Sequence, residues 1–265
     1  MLMSKPYLQQ GQILLIVATL AGGLALDMHT NIVGQTLLSF MVWLTLLHLM
    51  RGMERDLRFG LMSCLVIATA GEMFLSLFWG LYTYRLGNVP LFVPPGHVLL
   101  LLLGFAFADR MPDVIARAII GCAAAYSFVA ALLGIDTLGI PLFLVLFATS
   151  LLMPAQRRLY ASTFMLSLAL ELYGTSLGNW AWAHKVPGMA LVTTNPPGVS
   201  GAFYCALDAL VMAVLLTAAP RLNTLAAGRS VDASSNLSLL PGFSLQEAAI
   251  NLPHGDRNTD AARFP

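Results

Sequence analysis

Charge is the first thing this sequence lacks. Asp, Glu, Lys and Arg make up 10% of its 265 residues, against about 25% in a soluble domain. So little polar surface cannot cover a soluble core, and an ordinary soluble fold is excluded. The net charge is +1, and nothing in its distribution points to a nucleic-acid partner. Cysteine is scarce as well. Cys64, Cys122 and Cys205 are odd in number, fall in apolar runs and have no C-x-x-C spacing for zinc or redox work. His29, His97 and His184 form no H-x-x-x-H or H-E-x-x-H motif, so no metal site is read and no cofactor is identified.

Apolar residues fill the space that charge leaves. The chain is 58% hydrophobic, with a mean hydropathy of +0.77. Hydrophobic segments fall at 12–26, 32–50, 59–84, 89–108, 118–135, 140–153, 159–182 and 201–219. A membrane-crossing helix needs about 20 such residues, and it satisfies its own backbone hydrogen bonds. The runs lack the alternation of a barrel strand. The expected class is all-α: a polytopic helical membrane protein of about eight spans. The first segment resembles a secretory h-region but has no clear A-x-A site before Asp27. The sixth is short enough to be re-entrant. Residues 220–265, rich in Ser, Asn, Pro and Gly, are expected to be a disordered cytoplasmic tail.

The sparse charges orient the chain. With a cytoplasmic N-terminus, inner connections carry Lys5, Arg51, Arg55, Arg58, Arg110, Arg117, Arg157, Arg158, Arg221 and Arg229. Outer connections carry only Arg85 and Lys185. That asymmetry is the positive-inside pattern. It places both termini in the cytoplasm of a multi-pass protein, in keeping with a bacterial inner membrane.

The same segments suggest duplication. Glu72 lies in an apolar run, followed by Gly80, Tyr82 and Tyr84 and then Pro94-Pro95-Gly96. Glu171 is followed by Gly178, Trp180 and Trp182 and then Pro196-Pro197-Gly198. Halves at 1–110 and 111–219 would each hold four spans and run parallel, because each starts and ends inside. Pro94-Pro95-Gly96 is expected to interrupt the fourth segment, with 91–96 dipping in as non-helical backbone.

Only Glu72, Glu171 and Asp208 lie well inside hydrophobic segments. At 1.5 Å per residue they sit roughly 18, 16 and 10 Å from the outer ends of their segments. A charge at the bilayer centre costs at least about 2.5–3.5 kcal/mol, so all three should face the bundle interior. One reading is a polar site in which two like carboxylates become an acid and a base. The other is a set of interhelical hydrogen bonds that only fix packing. Trp79, Tyr82, Tyr84, Trp180 and Trp182 suit an interfacial aromatic belt flanking helix ends. An inward-facing subset, with His97, Asn179 and Asn195, could instead bind an apolar ligand. Gly198-Val199-Ser200-Gly201 has the form of an intramembrane serine-protease motif, but no histidine follows it in the last span.

The run Glu72 … Gly80-Leu81-Tyr82-Thr83-Tyr84-Arg85-Leu86-Gly87 … Val93-Pro94 resembles a stretch of the carotenoid-biosynthesis membrane hydratases, of the bisanhydrobacterioruberin or lycopene 1,2-hydratase type. Tyr173-Gly174 followed by Asn179-Trp180 is similar to a downstream pattern in that family. About 30 residues carry the resemblance. His97 after Pro-Pro-Gly and Thr175-Ser176 after Tyr-Gly depart from it. It implies addition of water across an isoprenoid double bond, with Glu72 a candidate acid. The leading expectation is therefore an intramembrane enzyme acting on a lipid or other hydrophobic small molecule through Glu72, Glu171 and Asp208. A small-molecule or proton-coupled transporter and a structural membrane partner are its rivals.

Overall fold

The computed structural model describes residues 8–217; Lys5 and the expected disordered tail, 220–265, lie outside the described residues. Among the described residues there are eight α-helices: α1 (Gln10–Asp27), α2 (Ile32–Met50), α3 (Arg55–Glu72), α4 (Val93–Ala108), α5 (Asp113–Leu132), α6 (Gly139–Leu152), α7 (Arg157–Ser176) and α8 (Gly201–Thr217). α3 runs on into a π-helical turn, Met73–Phe78, to make 24 continuous helical residues. Four helices are long and apolar enough to cross a membrane: α1, α2, α3 with its π-turn, and α5. α6 and α7 meet at a bend of 109° around Pro154. Large apolar side chains face outward, among them Leu37, Phe40 and Leu44 on α2 and Leu132 on α5. Such a surface suits lipid rather than water.

α4 is the centre of the packing. Its run Val98–Leu103 is buried on every side, as expected for a helix that is apolar all round. It packs against α7, α3, α2 and α1. Gly104 lets it approach α7 closely, since a Cβ there would meet Thr163 Oγ1 at 2.6 Å. The expected break at Pro94-Pro95-Gly96 is corrected. The two prolines occupy the first turn of α4, and the helix begins at Val93. Proline suits that turn because its missing N–H would have had no intrahelical partner there.

The all-α expectation is also amended. Two three-residue strands, β1 (Tyr82–Tyr84) and β2 (Trp180–Trp182), pair antiparallel with Tyr82 opposite Trp182 and Tyr84 opposite Trp180. Gly80 (φ +71°) and Gly178 (φ +75°) turn the chain out of the preceding helices, a backbone conformation that costs glycine nothing. In a strand, alternate side chains share one face. All four aromatics are therefore buried, while Thr83 and Ala181 point outward. The reading of these residues as a belt at helix ends fails for that reason.

Candidate functional site

The inward face of the sheet covers the two glutamates. Glu72 ends α3, immediately before the π-turn. Tyr82 and Tyr84 donate to its Oε2 at 2.8 and 2.6 Å, and His97 Nε2 lies 2.8 Å from Oε1. Glu171, on α7, receives Trp180 Nε1 at 2.8 Å and Trp182 Nε1 at 3.0 Å on Oε2, and Tyr204 OH at 3.1 Å on Oε1. Each carboxylate thus takes two aromatic donors from the strand that follows its own helix. A third comes from the early turns of α4 or α8. Both glutamates are buried, and a carboxylate whose oxygens all have hydrogen-bond partners is the form in which burial is tolerated.

The two donor sets differ chemically. An indole N–H only donates, so Glu171 Oε2 is held as a permanent acceptor and only its Oε1, facing Tyr204, can carry a proton. Glu72 is bonded by two phenols, which can donate or accept hydrogen bonds, and by an imidazole, which can also give or take a proton. Its bond to His97 is an ion pair whenever the imidazole is protonated. The rings of His97 and Tyr204 lie against each other, 4.7 Å between centroids and tilted by 36°, linking the two halves of the site. The arrangement therefore sets a carboxyl with a proton-exchanging imidazole partner beside one held by three hydrogen-bond donors.

Apolar space adjoins both. A cavity of about 60 Å³ lies on the α1–α2 side, walled by Leu20, Leu24, Leu38, Val42 and Leu100. Another of about 230 Å³ lies between α3 and α8, walled by Ile67, Phe74, Leu75, Phe203, Leu207 and Leu210. Glu72, Tyr82, His97, Glu171 and Tyr204 line both.

Of the residues singled out by sequence, Glu72, Glu171, Tyr82, Tyr84, His97 and Trp180 come together here. Trp79, Asn179 and Asn195 line neither cavity. Trp79 Nε1 donates to Pro187 O at 2.9 Å and ties down the loop after β2. Asn195 Oδ1 accepts from the backbone of Trp182 at 2.9 Å and braces β2. Asn179 Nδ2 bonds Leu24 O at 3.0 Å and Asp27 Oδ2 at 3.3 Å. Asp208 sits one helical turn beyond Tyr204 and does not bond to either glutamate. Two carboxylate donors were not picked out as site residues by sequence: Tyr204, and Trp182, which was named only among the aromatics of the possible belt. Trp182 was legible as the partner of Tyr84 in the matched spacing. Tyr204 emerges only when the starts of α4 and α8 are aligned, which sets it beside His97.

Two further buried acids, Asp27 and Asp136, hold the loops at the sheet end. Asp27 accepts from Gln35 Nε2 at 3.0 Å and pairs with Arg85 at 3.7 Å. Asp136 accepts from the backbone of Gly139 and Gly198 and from Thr193 and Tyr126, at 3.0–3.2 Å. The Gly198 bond fixes the entry to α8, and with it Tyr204. His184 Nδ1 lies 2.9 Å from Thr193 O, in the same loop region. Among the described residues, no three His, Cys, Asp or Glu are grouped to hold a metal ion. No family model matches the chain, and neither the curated proteins nor the solved structures give a significant match.

Proposed function

We propose that this protein is a membrane-embedded enzyme performing acid/base chemistry on a double bond of a lipidic, isoprenoid-type substrate. The observation that carries the reading is the pair of glutamates with unlike donor sets, set where two apolar cavities meet. Glu72, as the acid, gives its proton to one alkene carbon. Positive charge develops on the neighbouring carbon and is stabilised by the Glu171 carboxylate and by the faces of the surrounding aromatics. In hydration, a water adds to that carbon and its surplus proton passes to Glu171. In isomerisation, a neighbouring C–H gives up the proton instead. The substrate gains one water or nothing, and the pair of carboxyls retains one proton throughout.

The resemblance to membrane carotenoid hydratases agrees with this assignment and makes hydration of a polyene its most specific form. Eight membrane segments in two parallel halves, with both termini cytoplasmic, complete the proposed topology. Charge placement supports it, as does the matching of Glu72–Gly80–Tyr82–Tyr84 with Glu171–Gly178–Trp180–Trp182. The test is chemical. Membranes carrying Glu72→Gln or Glu171→Gln at normal abundance should accumulate an apolar precursor that the intact protein converts, and unaltered lipid profiles in both variants would refute the reading.

A further inference from the structure

We propose that the cavity between α3 and α8 is a lateral portal, through which an isoprenoid chain passes from the bilayer core to Glu72 and Glu171. The two helices touch at one end and part at the other. Near the start of α3, Gly60 admits Leu215 from the end of α8, where a Cβ would meet the leucine side chain at 2.7 Å. Toward the other end lies the cavity of about 230 Å³, with Ile67 to Leu75 on one side and Phe203 to Leu210 on the other. Both glutamates line it. So do Phe74 and Leu210, which are 51% and 56% exposed on the apolar outer surface. One cavity therefore runs from lipid-facing side chains to the buried carboxylates. Phe74 belongs to the π-turn that follows Glu72, an irregularity that recurs at functional sites.

The lining selects the ligand. Apart from Glu72, His97 and Glu171, it contains no Asp, Glu, Lys, Arg or His, so a charged ligand would be buried without a counter-charge on its way in. Ile67, Leu75, Phe203 and Leu207 instead offer a hydrocarbon wall to a hydrocarbon chain. The cavity on the α1–α2 side does not serve as the entrance, because none of its lining residues is exposed. Two atoms of portal-lining residues, Ser200 Oγ and His97 Nδ1, are buried and have no partner among the described residues. That leaves hydrogen-bonding capacity for a group brought in from outside the protein. Gly71 keeps the passage open. It lines the portal on α3, and a Cβ there would meet nothing within 4 Å. A larger side chain therefore has room, and the room it takes is the portal's. It would also replace a poor helix former.

The portal rests on the reading of the glutamates as the reacting pair, but its occupancy can be measured without turnover. Full-length protein in proteoliposomes is irradiated with a diazirine-bearing geranylgeraniol, and the adducts are mapped by mass spectrometry. Adducts are expected on Phe203 and Leu207, which are half-buried in the portal, and on the outward-facing Leu37, Phe40 and Leu44. Gly71→Leu should remove the first set, spare the second and abolish conversion of substrate in cells. Ala206→Leu fills the portal from the facing helix and decides the matter if Gly71→Leu does not fold. Absence of the Phe203 and Leu207 adducts in the intact protein overturns the portal, as does their persistence in a folded variant. Conversion at the intact rate by a folded variant overturns it too. If such a variant still converts substrate while Glu72→Gln does not, the portal fails and the reaction stands. If Gly71→Leu blocks labelling but Glu72→Gln changes no lipid, the reaction fails and the portal stands.

Discussion

Tyr82 and Trp182 face each other across the two-stranded sheet with ring centroids 4.8 Å apart, yet they donate to different glutamates. The contact joins the two carboxylate sites into one wall. It also explains why so short a sheet persists. Its inward face is entirely aromatic, and each of its four rings spends its polar atom on a carboxylate beneath. The sheet and the glutamates therefore stabilise one another, and a change to either should be felt in both.

Removing single donors should separate the two sites. Tyr84→Phe deletes the 2.6 Å bond to Glu72, and Trp182→Phe deletes an indole bond to Glu171. Each should cost about 1.5–3 kcal/mol of stability, the usual contribution of a hydrogen bond to a charged group. Denaturant titration in detergent micelles reads this directly. A loss below about 0.5 kcal/mol, the low end for any hydrogen bond, would mean that the donor is not engaged.

Gly174 should tolerate no side chain. A Cβ at this position would clash with the edge of the Trp180 ring, so Gly174→Ala must displace the indole that grips Glu171. Overpacking of this kind costs about 1–3 kcal/mol. The variant should show altered tryptophan fluorescence and reduced conversion of substrate. Restored conversion in the Gly174→Ala, Trp180→Phe double variant would trace the defect to that contact.

The glutamates were legible in the sequence because a carboxylate in an apolar run has few reasons to be there. The following glycine and aromatics were legible as a recurring spacing, though not as strands. Three residues give too short an alternation to tell a strand from aromatics flanking a helix end, and β1 is fixed by β2, about a hundred residues away in the chain. Tyr204 was hidden for a related reason: its partner Glu171 lies 33 residues earlier, and only the packing of α8 joins them. Pro94-Pro95 misled in the opposite sense. The same dipeptide can end one helix or begin another, and here α4 starts on it. Trp79, Asn179 and Asn195 were drawn in by closeness in sequence, but Trp79 bonds the loop after β2, Asn179 the end of α1 and Asn195 the backbone of β2.

Asp136→Asn tests the loop framework apart from the chemistry. Asp136 accepts through both oxygens, Oδ1 from Gly139 and Thr193 and Oδ2 from Gly198 and Tyr126. An amide offers only one accepting oxygen and would set its own donors against existing ones. A destabilisation of about 1–3 kcal/mol is expected, together with faster proteolysis of the 183–200 segment. Unchanged protease resistance would show that the α8 entry is held by other contacts.

Topology is accessible to single-cysteine labelling in intact cells, in a background lacking Cys64, Cys122 and Cys205. A cysteine at Gly87 or Lys185 should react with a membrane-impermeant maleimide, and one at Gly52 or Arg158 should not. Labelling of both sets, or of the inner set alone, would refute the proposed orientation.

The most direct test of the central claim compares untargeted lipid extracts from cells expressing the intact protein, Glu72→Gln or Glu171→Gln at matched abundance. The account predicts a hydrophobic precursor that persists in both variants and is replaced, with the intact protein, by a product heavier by one water or by an isomer of equal mass. Conversion by both glutamine variants at the intact protein's rate would contradict it, as would movement of an unaltered compound across vesicles reconstituted with the intact protein.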